Sequence, residues 1–299
     1  MNSTLFQGTD PHDMGTRVDE LILGMVLDAW ERLTPHELRK RVQKELPLKR
    51  GQFGSAIKRL IGKKALIYTY QFGNSFLEPS FDKPVRVAKF FILKPPVYDY
   101  RPLPGDIVIT IRPGAAFGNG FHPTTRLCLK GLETVCAGLP ACENDRGGAV
   151  LDIGTGSGVL MIAALKMGMD RGIGLDIDPC ARVEARENVA LNNLLGQAEI
   201  SNRALDAIKE HFQLVVANLR LPTLKVYFEK MIGLMAPGGC MVLSGIKSNE
   251  IGLLQRISEN YEVNMCWQGI ERGWGALALV ENGHEKDHGG RGCRPLPSG

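Results

Sequence analysis

The sequence lacks a long apolar run, a secretory leader and any paired motif of metal-binding side chains. No stretch of its 299 residues is apolar over about 18 positions, the length that a membrane-spanning helix requires. Residues 1–13 show no basic segment followed by an apolar stretch, so we predict no secretory signal. The seven cysteines are scattered, which is typical of reduced thiols, and the six dispersed histidines predict no zinc site. We therefore expect a cytoplasmic protein that binds neither a membrane nor a metal.

Basic charge is concentrated in one segment of an otherwise balanced chain. The formal net charge is +4, yet residues 36–64 contain ten basic side chains against two acidic ones. Such a concentration is typical of a surface that contacts nucleic acid, of a surface that docks a protein, or of a solvated face. Residues 39–64 are therefore candidate contacts for nucleic acid, and the other two interpretations stay open.

Residues 17–81 show the pattern of three helices followed by a β-hairpin, which predicts a winged-helix-like α+β domain. Thr34 and Glu37 form the signature of a capping box, with Pro35 at the first helical position. Residues 1–16 lack periodicity, and we expect them to form a disordered tail. Within the domain we predict helices over 18–33, 35–46 and 51–63, and strands over 65–70 and 75–78.

Residues 114–282 alternate strands and helices in the manner of a doubly wound α/β sheet. The preceding residues, 82–113, are rich in proline and are predicted to be a linker with short strands over 85–93 and 107–111. Residues 283–299 are poor in apolar side chains and are predicted to be a disordered tail. The seven strands of the sheet are expected at 149–153, 172–176, 198–202, 213–218, 239–244, 261–267 and 275–281. The helices are expected at 124–137, 157–168, 179–192, 221–235 and 249–259.

A glycine-rich turn between two apolar strands is the most informative motif of the chain. Three glycines alternate over residues 154–158, where the lack of a Cβ lets the backbone turn sharply and lie close to a ligand. The second strand ends at Asp176, which can accept hydrogen bonds from ribose hydroxyls. Dinucleotide-binding sites typically have the pattern G-x-G-x-x-G. The tighter spacing here, which begins at Asp152, is the pattern of class I methyltransferases that use S-adenosylmethionine (SAM).

Two further segments accompany this turn. Residues 113–126 form a glycine-rich loop that leads into a helix. Residues 215–219 form an apolar strand that finishes on Asn218. Ligands of open α/β sheets bind at the carboxyl ends of strands, and an amide there can orient an amine acceptor. A structural loop and a turn-forming asparagine are the plain alternatives.

Together these segments resemble the methyltransferases of ribosomal protein L11. The matching motifs lie, in the right order, at residues 116–125, 152–158, 174–179 and 216–218. The resemblance implies a Rossmann-like fold with a seven-stranded sheet, SAM as the cofactor, and transfer of a methyl group to an amine of a ribosomal or other translation-related protein. Asn218 would orient the acceptor, and the loop over 118–125 would cover the methionine end of SAM. We assign to the cofactor site Phe117, Gly118, Thr125, Asp152, Gly154, Gly156, Gly158, Asp176, Ile177, Asn202 and Asn218. Asp206 is an alternative to Asn202 at the adenine edge.

The chain departs from this family at the proposed substrate side and at its N-terminus. Asn119 and Phe121 stand where threonines are usual, and residues 219–222 differ from the usual Ile-Leu-Ala type. The family begins with a ferredoxin-like domain, whereas residues 17–81 predict a winged helix. Two other functions therefore stay open: an RNA or DNA methyltransferase that uses the winged helix to deliver nucleic acid, and a SAM-sensing regulator. The missing Asn-Pro-Pro-Tyr box counts against methylation of a base amine.

Overall fold

The chain folds into two compact units, residues 1–82 and 83–299. The structure, a computed structural model, describes residues 11–29, 31–71, 73–112, 114, 120, 122–136 and 148–282. The predicted tail over 283–299 and the first ten residues of the predicted N-terminal tail lie outside these described residues. No helix in the described part of the chain is long and apolar enough to cross a membrane.

The first unit contains three helices followed by a β-hairpin, in the predicted order. The Thr34 side chain accepts the Glu37 amide, and the Glu37 carboxylate accepts the Thr34 amide at 2.9 Å, so the capping box forms as predicted. Apolar side chains of all three helices and of both strands form one core. The elements are α1 (Pro11–Leu27), α2 (Pro35–Glu45), α3 (Gln52–Gly62), β1 (Leu66–Gln71) and β2 (Asn74–Pro79).

The first helix differs from its prediction at both ends. It begins at Pro11, so residues 11–16 are helical and the prediction of a disordered tail through residue 16 is wrong there. Proline is well suited to a first helical turn because its missing N–H has no partner there in any helix. The helix ends at Leu27, six residues before the predicted end, and Leu33 pairs with Leu77 of the hairpin instead.

The second unit begins with a small sheet where we predicted a linker. Strands β3 (Val85–Arg86) and β4 (Phe91–Lys94) pair antiparallel, and β4 pairs in parallel with β5 (Ile107–Thr110). The single strand predicted over 85–93 is therefore two strands. The chain turns between them where the amides of Lys89 and Phe90 donate to the carboxylate of Glu133.

The rest of the second unit is a seven-stranded sheet with helices, and each predicted strand and helix is present. The strand order is β11-β12-β10-β9-β6-β7-β8, and only β12 runs antiparallel to its neighbours. This is the class I methyltransferase fold. The strands are β6 (Ala149–Ile153), β7 (Arg171–Leu175), β8 (Ala198–Ser201), β9 (Phe212–Asn218), β10 (Met235–Lys247), β11 (Val263–Glu271) and β12 (Trp274–Glu281). The helices are α4 (Pro123–Cys136), α5 (Val159–Lys166), α6 (Pro179–Leu191), α7 (Leu221–Gly233) and α8 (Ile251–Ser258).

Candidate active site

The order of the parallel strands reverses between β6 and β9, and the candidate site lies at their carboxyl ends. From β6 the chain proceeds outward to β7 and β8, whereas β9 pairs on the other side of β6 and leads outward to β10. Such a reversal opens a crevice at the ends of the two central strands, where α/β proteins bind their ligands. The glycine turn follows β6, Asp176 follows the neighbouring β7, and Asn218 ends β9.

The glycine turn has the backbone that its sequence predicts. Gly154, Gly156 and Gly158 have φ angles of +73°, +54° and +81°, in the left-handed region that side chains disfavour. The amides of Gly154 and Thr155 donate to the carbonyl of Leu175 at 2.8 and 2.9 Å, which joins the turn to the end of β7. Because α5 begins directly after Gly158, its first amides lie at the same edge of the sheet.

Asp176 joins the second strand to this turn. Its Oδ2 atom accepts the Gly156 amide and its Oδ1 atom accepts the Asp178 amide, both at 2.9 Å. The carboxylate is half-buried, and each oxygen retains a further lone pair for a hydroxyl donor. The neighbouring Ile177 is 94% exposed and adds an apolar side chain to this surface. The turn and the acid are therefore fixed as one unit, with apolar surface beside them.

Asp152 lies beneath the turn. Its side chain is fully buried, and its Oδ2 atom accepts the Thr155 hydroxyl at 2.7 Å and the Met161 amide at 3.2 Å. Burial raises the pKa of Asp152 to about 7, and the carboxylate of Asp176 adds to the rise, while the two hydrogen bonds oppose it. These contacts support the turn and the start of α5 from below.

Asn218 ends β9 with a buried amide side chain. The residue is 8% exposed, and its Oδ1 atom is buried with no hydrogen-bond donor among the described residues. A buried amide oxygen without a donor is costly in a folded protein and calls for an explanation. The next residue, Leu219, lies against the turn, since a Cβ on Gly154 would come within 2.7 Å of its Cδ2 atom.

The start of α4 supplies a second buried polar group of this kind. Thr125 is fully buried, and its Oγ1 atom has no partner in the described part of the chain. Thr124 beside it contacts Nδ1 of His122 through its hydroxyl at 2.7 Å, and the His122 ring meets Trp274 edge-on at 4.8 Å. The predicted site residues Phe117 and Gly118 lie outside the described residues.

Comparison with known proteins identifies the family. A family model described as ribosomal protein L11 methyltransferase matches residues 80–281, about two thirds of the chain. The chain belongs to this family. The match includes all seven strands of the large sheet and the small sheet that precedes it.

Individual relatives agree with the family model. The L11 methyltransferase of Pelobacter propionicus is 43% identical over 164 residues, which cover 55% of this chain and 52% of the relative. That of Geotalea uraniireducens is 38% identical over 233 residues, 76% of this chain and 73% of the relative. The crystal structure of the L11 methylase from Lactobacillus delbrueckii matches 67% of this chain and all of its own with a TM-score of 0.59 at 26% identity. The chain spans about half the length of the first curated relatives that it matches.

The sequence did not predict the structural roles of two asparagines in this member of the L11 methyltransferase family. Asn188 lies in α6, and Asn192 directly follows it. Asn188 donates to the Ser157 carbonyl at 2.8 Å and accepts the Arg112 amide at 2.9 Å. Asn192 exchanges hydrogen bonds with the backbone N–H and C=O of Thr110. These side chains attach the glycine turn to the end of β5. Their signal in the sequence was two asparagines four residues apart in a predicted helix, which they disfavour unless they bond elsewhere.

The two adenine-edge candidates, Asn202 and Asp206, follow β8 and are both exposed. The described residues contain no group of three or more His, Cys, Asp or Glu side chains arranged to hold a metal ion.

Proposed function

We propose that this chain is a SAM-dependent methyltransferase that transfers a methyl group to an amine of a ribosomal protein. The main support is the side-chain oxygen of Asn218, which is buried and has no hydrogen-bond donor among the described residues. It lies beside the glycine turn, where the strand order of the class I methyltransferase sheet reverses. The relatives are named as methyltransferases of ribosomal protein L11. These names favour a protein acceptor over the RNA or DNA methyltransferase and the regulator considered from the sequence. We also propose that the protein acts in the cytoplasm.

The residues at the crevice fit the cofactor. Each of the three turn glycines has a left-handed φ and no Cβ, so a ligand can approach the backbone of the turn closely. Asp176 would hold the ribose, and Ile177 would offer an apolar surface to the adenine. Thr125, with its buried hydroxyl oxygen, would hold the methionine end together with Asn218. When bound, SAM supplies an electrophilic methyl group on its sulfonium.

Asn218 would position the acceptor. Its Oδ1 atom can accept an N–H of a neutral amine, which turns the nitrogen lone pair away from the amide and toward the crevice. Burial strengthens this hydrogen bond, because no water competes for the oxygen. The strand holds Asn218 in place, since Ser244 of β10 accepts the amide of Leu219 at 3.1 Å. Positioning of this kind needs no nucleophilic side chain.

The acceptor must reach the site as a neutral amine, since a protonated amine has no lone pair. A lysine side chain has a pKa of about 10.4 in water. We therefore expect the rate of transfer to a lysine to rise about tenfold per pH unit between pH 7 and 9. We also propose that the loop over 118–125 covers the methionine end of SAM and that Phe117 and Gly118 contact the cofactor.

The test uses the full chain, SAM and purified ribosomal protein L11, with mass spectrometry of the acceptor. We expect added methyl groups with the native chain and a loss of about 10–100-fold with Asn218→Ala, from one lost buried hydrogen bond. Asn264→Ala, an exposed amide on β11 that lies outside the proposed site, is the matched control and should lose far less. Unmodified L11 with the native chain, or full activity of Asn218→Ala, would contradict the proposal.

A further inference from the structure

The first unit presents a basic surface that its own carboxylates only partly neutralise. Of the ten basic residues in the segment 36–64, three have acidic partners. Arg59 and Lys63 contact Asp19 at 2.7 and 3.6 Å, and Lys64 contacts Asp82 at 3.5 Å. These three side chains belong to the fold of the unit and are less available to a partner.

The other seven basic residues are exposed and form no ion pair in the part of the chain that the structure describes. On α2 they lie away from Leu38 and Val42, the two side chains that this helix buries in the core. Further members follow in the loop before α3 and on α3 itself. We call these seven residues the basic surface: Arg39, Lys40, Arg41, Lys44, Lys49, Arg50 and Lys58.

The hairpin of the same unit adds exposed aromatic side chains. Tyr68 is 50% exposed and Tyr70 is 72% exposed. Successive side chains of a strand alternate between its faces, so both tyrosines share the face of Leu66, which packs into the helical core. The face that β1 turns toward the helices therefore continues beyond the core as two accessible rings.

We propose that the first unit binds RNA, with the basic surface on the phosphates and Tyr68 and Tyr70 stacked on unpaired bases. Seven exposed cations on one unit match the charge of a polyanionic backbone. The two exposed tyrosines favour RNA over the other anionic partners. An acidic protein would satisfy the charge without needing the rings, and duplex DNA keeps its bases stacked internally, whereas RNA loops offer bases that stack on tyrosine. This inference does not rest on the proposed methyl transfer.

The test measures fluorescence anisotropy of a labelled RNA stem-loop with the full chain between about 50 and 200 mM salt. Replacing Arg39, Lys40 and Lys44 by Gln keeps helix-forming residues on exposed positions. We expect affinity to fall about tenfold or more and the slope of log K against log salt to fall by about 2 in magnitude. A control variant that removes the same charge from exposed positions of the second unit carries Lys209→Gln, Lys225→Gln and Arg256→Gln.

Substitutions at the hairpin test the stacking. Tyr70→Ala should weaken RNA binding about tenfold, while Tyr70→Phe retains the ring and should bind as the native chain does. The proposal is overturned if RNA does not bind at about 50 mM salt, if the α2 variant behaves like its charge-matched control, or if Tyr70→Ala has no effect. Tighter binding of a DNA duplex, or of polyglutamate, would overturn the assignment to RNA.

Discussion

Replacing Asp152 by asparagine should change how the stability of the second unit depends on pH. Asp152 is fully buried and accepts hydrogen bonds from Thr155 and Met161 through one oxygen. An asparagine can accept both bonds through Oδ1, so the substitution removes the charge and keeps the acceptor. Any difference that changes with pH then reports ionisation of Asp152.

The sign and size follow from the two pKa values of this group. The pKa of Asp152 is about 7 in the folded protein and about 3.9 in an unfolded chain. The folded state binds the proton more tightly, so this contribution to stability is complete below about pH 4 and is lost as pH rises through 7. The full loss is about 4 kcal/mol, of which about 2 to 3 kcal/mol falls between pH 5 and 8. Asparagine has no such loss.

The assay is urea unfolding at pH 5 and pH 8 in a Trp30→Phe background, where Trp267 and Trp274 report on the second unit. We compare the free energies of unfolding of the Asp152→Asn variant and the native chain at each pH. The variant minus native difference should be about 2 to 3 kcal/mol larger at pH 8 than at pH 5. Asp170→Asn, an exposed aspartate before β7, is the control and should show no such rise. Equal differences at both pH values would refute the raised pKa.

Three further predictions concern the turn and its supports. Asp176→Ala should weaken SAM binding by about 1–3 kcal/mol by calorimetry, and unchanged affinity in a folded variant would remove Asp176 from the ribose role. Gly154→Ala should lower the free energy of unfolding by about 1–2 kcal/mol because of its φ of +73°, and the clash of the new Cβ with Leu219 should lower it further. If Leu219→Ala fully restored the melting temperature of Gly154→Ala, the backbone argument would be contradicted. Asn188→Ala should lower the free energy of unfolding by about 1–3 kcal/mol because its hydrogen bonds with the Ser157 carbonyl and the Arg112 amide are lost; an unchanged urea midpoint would argue against this.

The large sheet was predictable because its strands are short apolar runs bounded by turns. Strand β6 occupies residues 149–153, the range predicted from the sequence, and all five of its residues are buried. Buried parallel strands have this character throughout α/β proteins. The glycine turn was predictable for a related reason, since three alternate glycines have few uses other than a left-handed backbone.

The errors arose where distant contacts decide the local structure. Periodicity extended α1 to Leu33, but that residue pairs with Leu77. Likewise, the apolar run over 85–93 is divided because Glu133 of α4 binds two amides in its middle. Neither partner is close in sequence. The roles of Asn188 and Asn192 were missed for the same reason, since their partners lie between 31 and 82 residues away.

The most direct test of the central claim, methyl transfer to a protein, uses radiolabelled SAM, the full chain and a cell lysate that is afterwards divided between protease and nuclease. The account predicts label that protease removes and nuclease leaves, and its absence with Asn218→Ala. Label that nuclease removes would contradict a protein acceptor. No incorporation by a chain that binds SAM would contradict methyl transfer to any macromolecule.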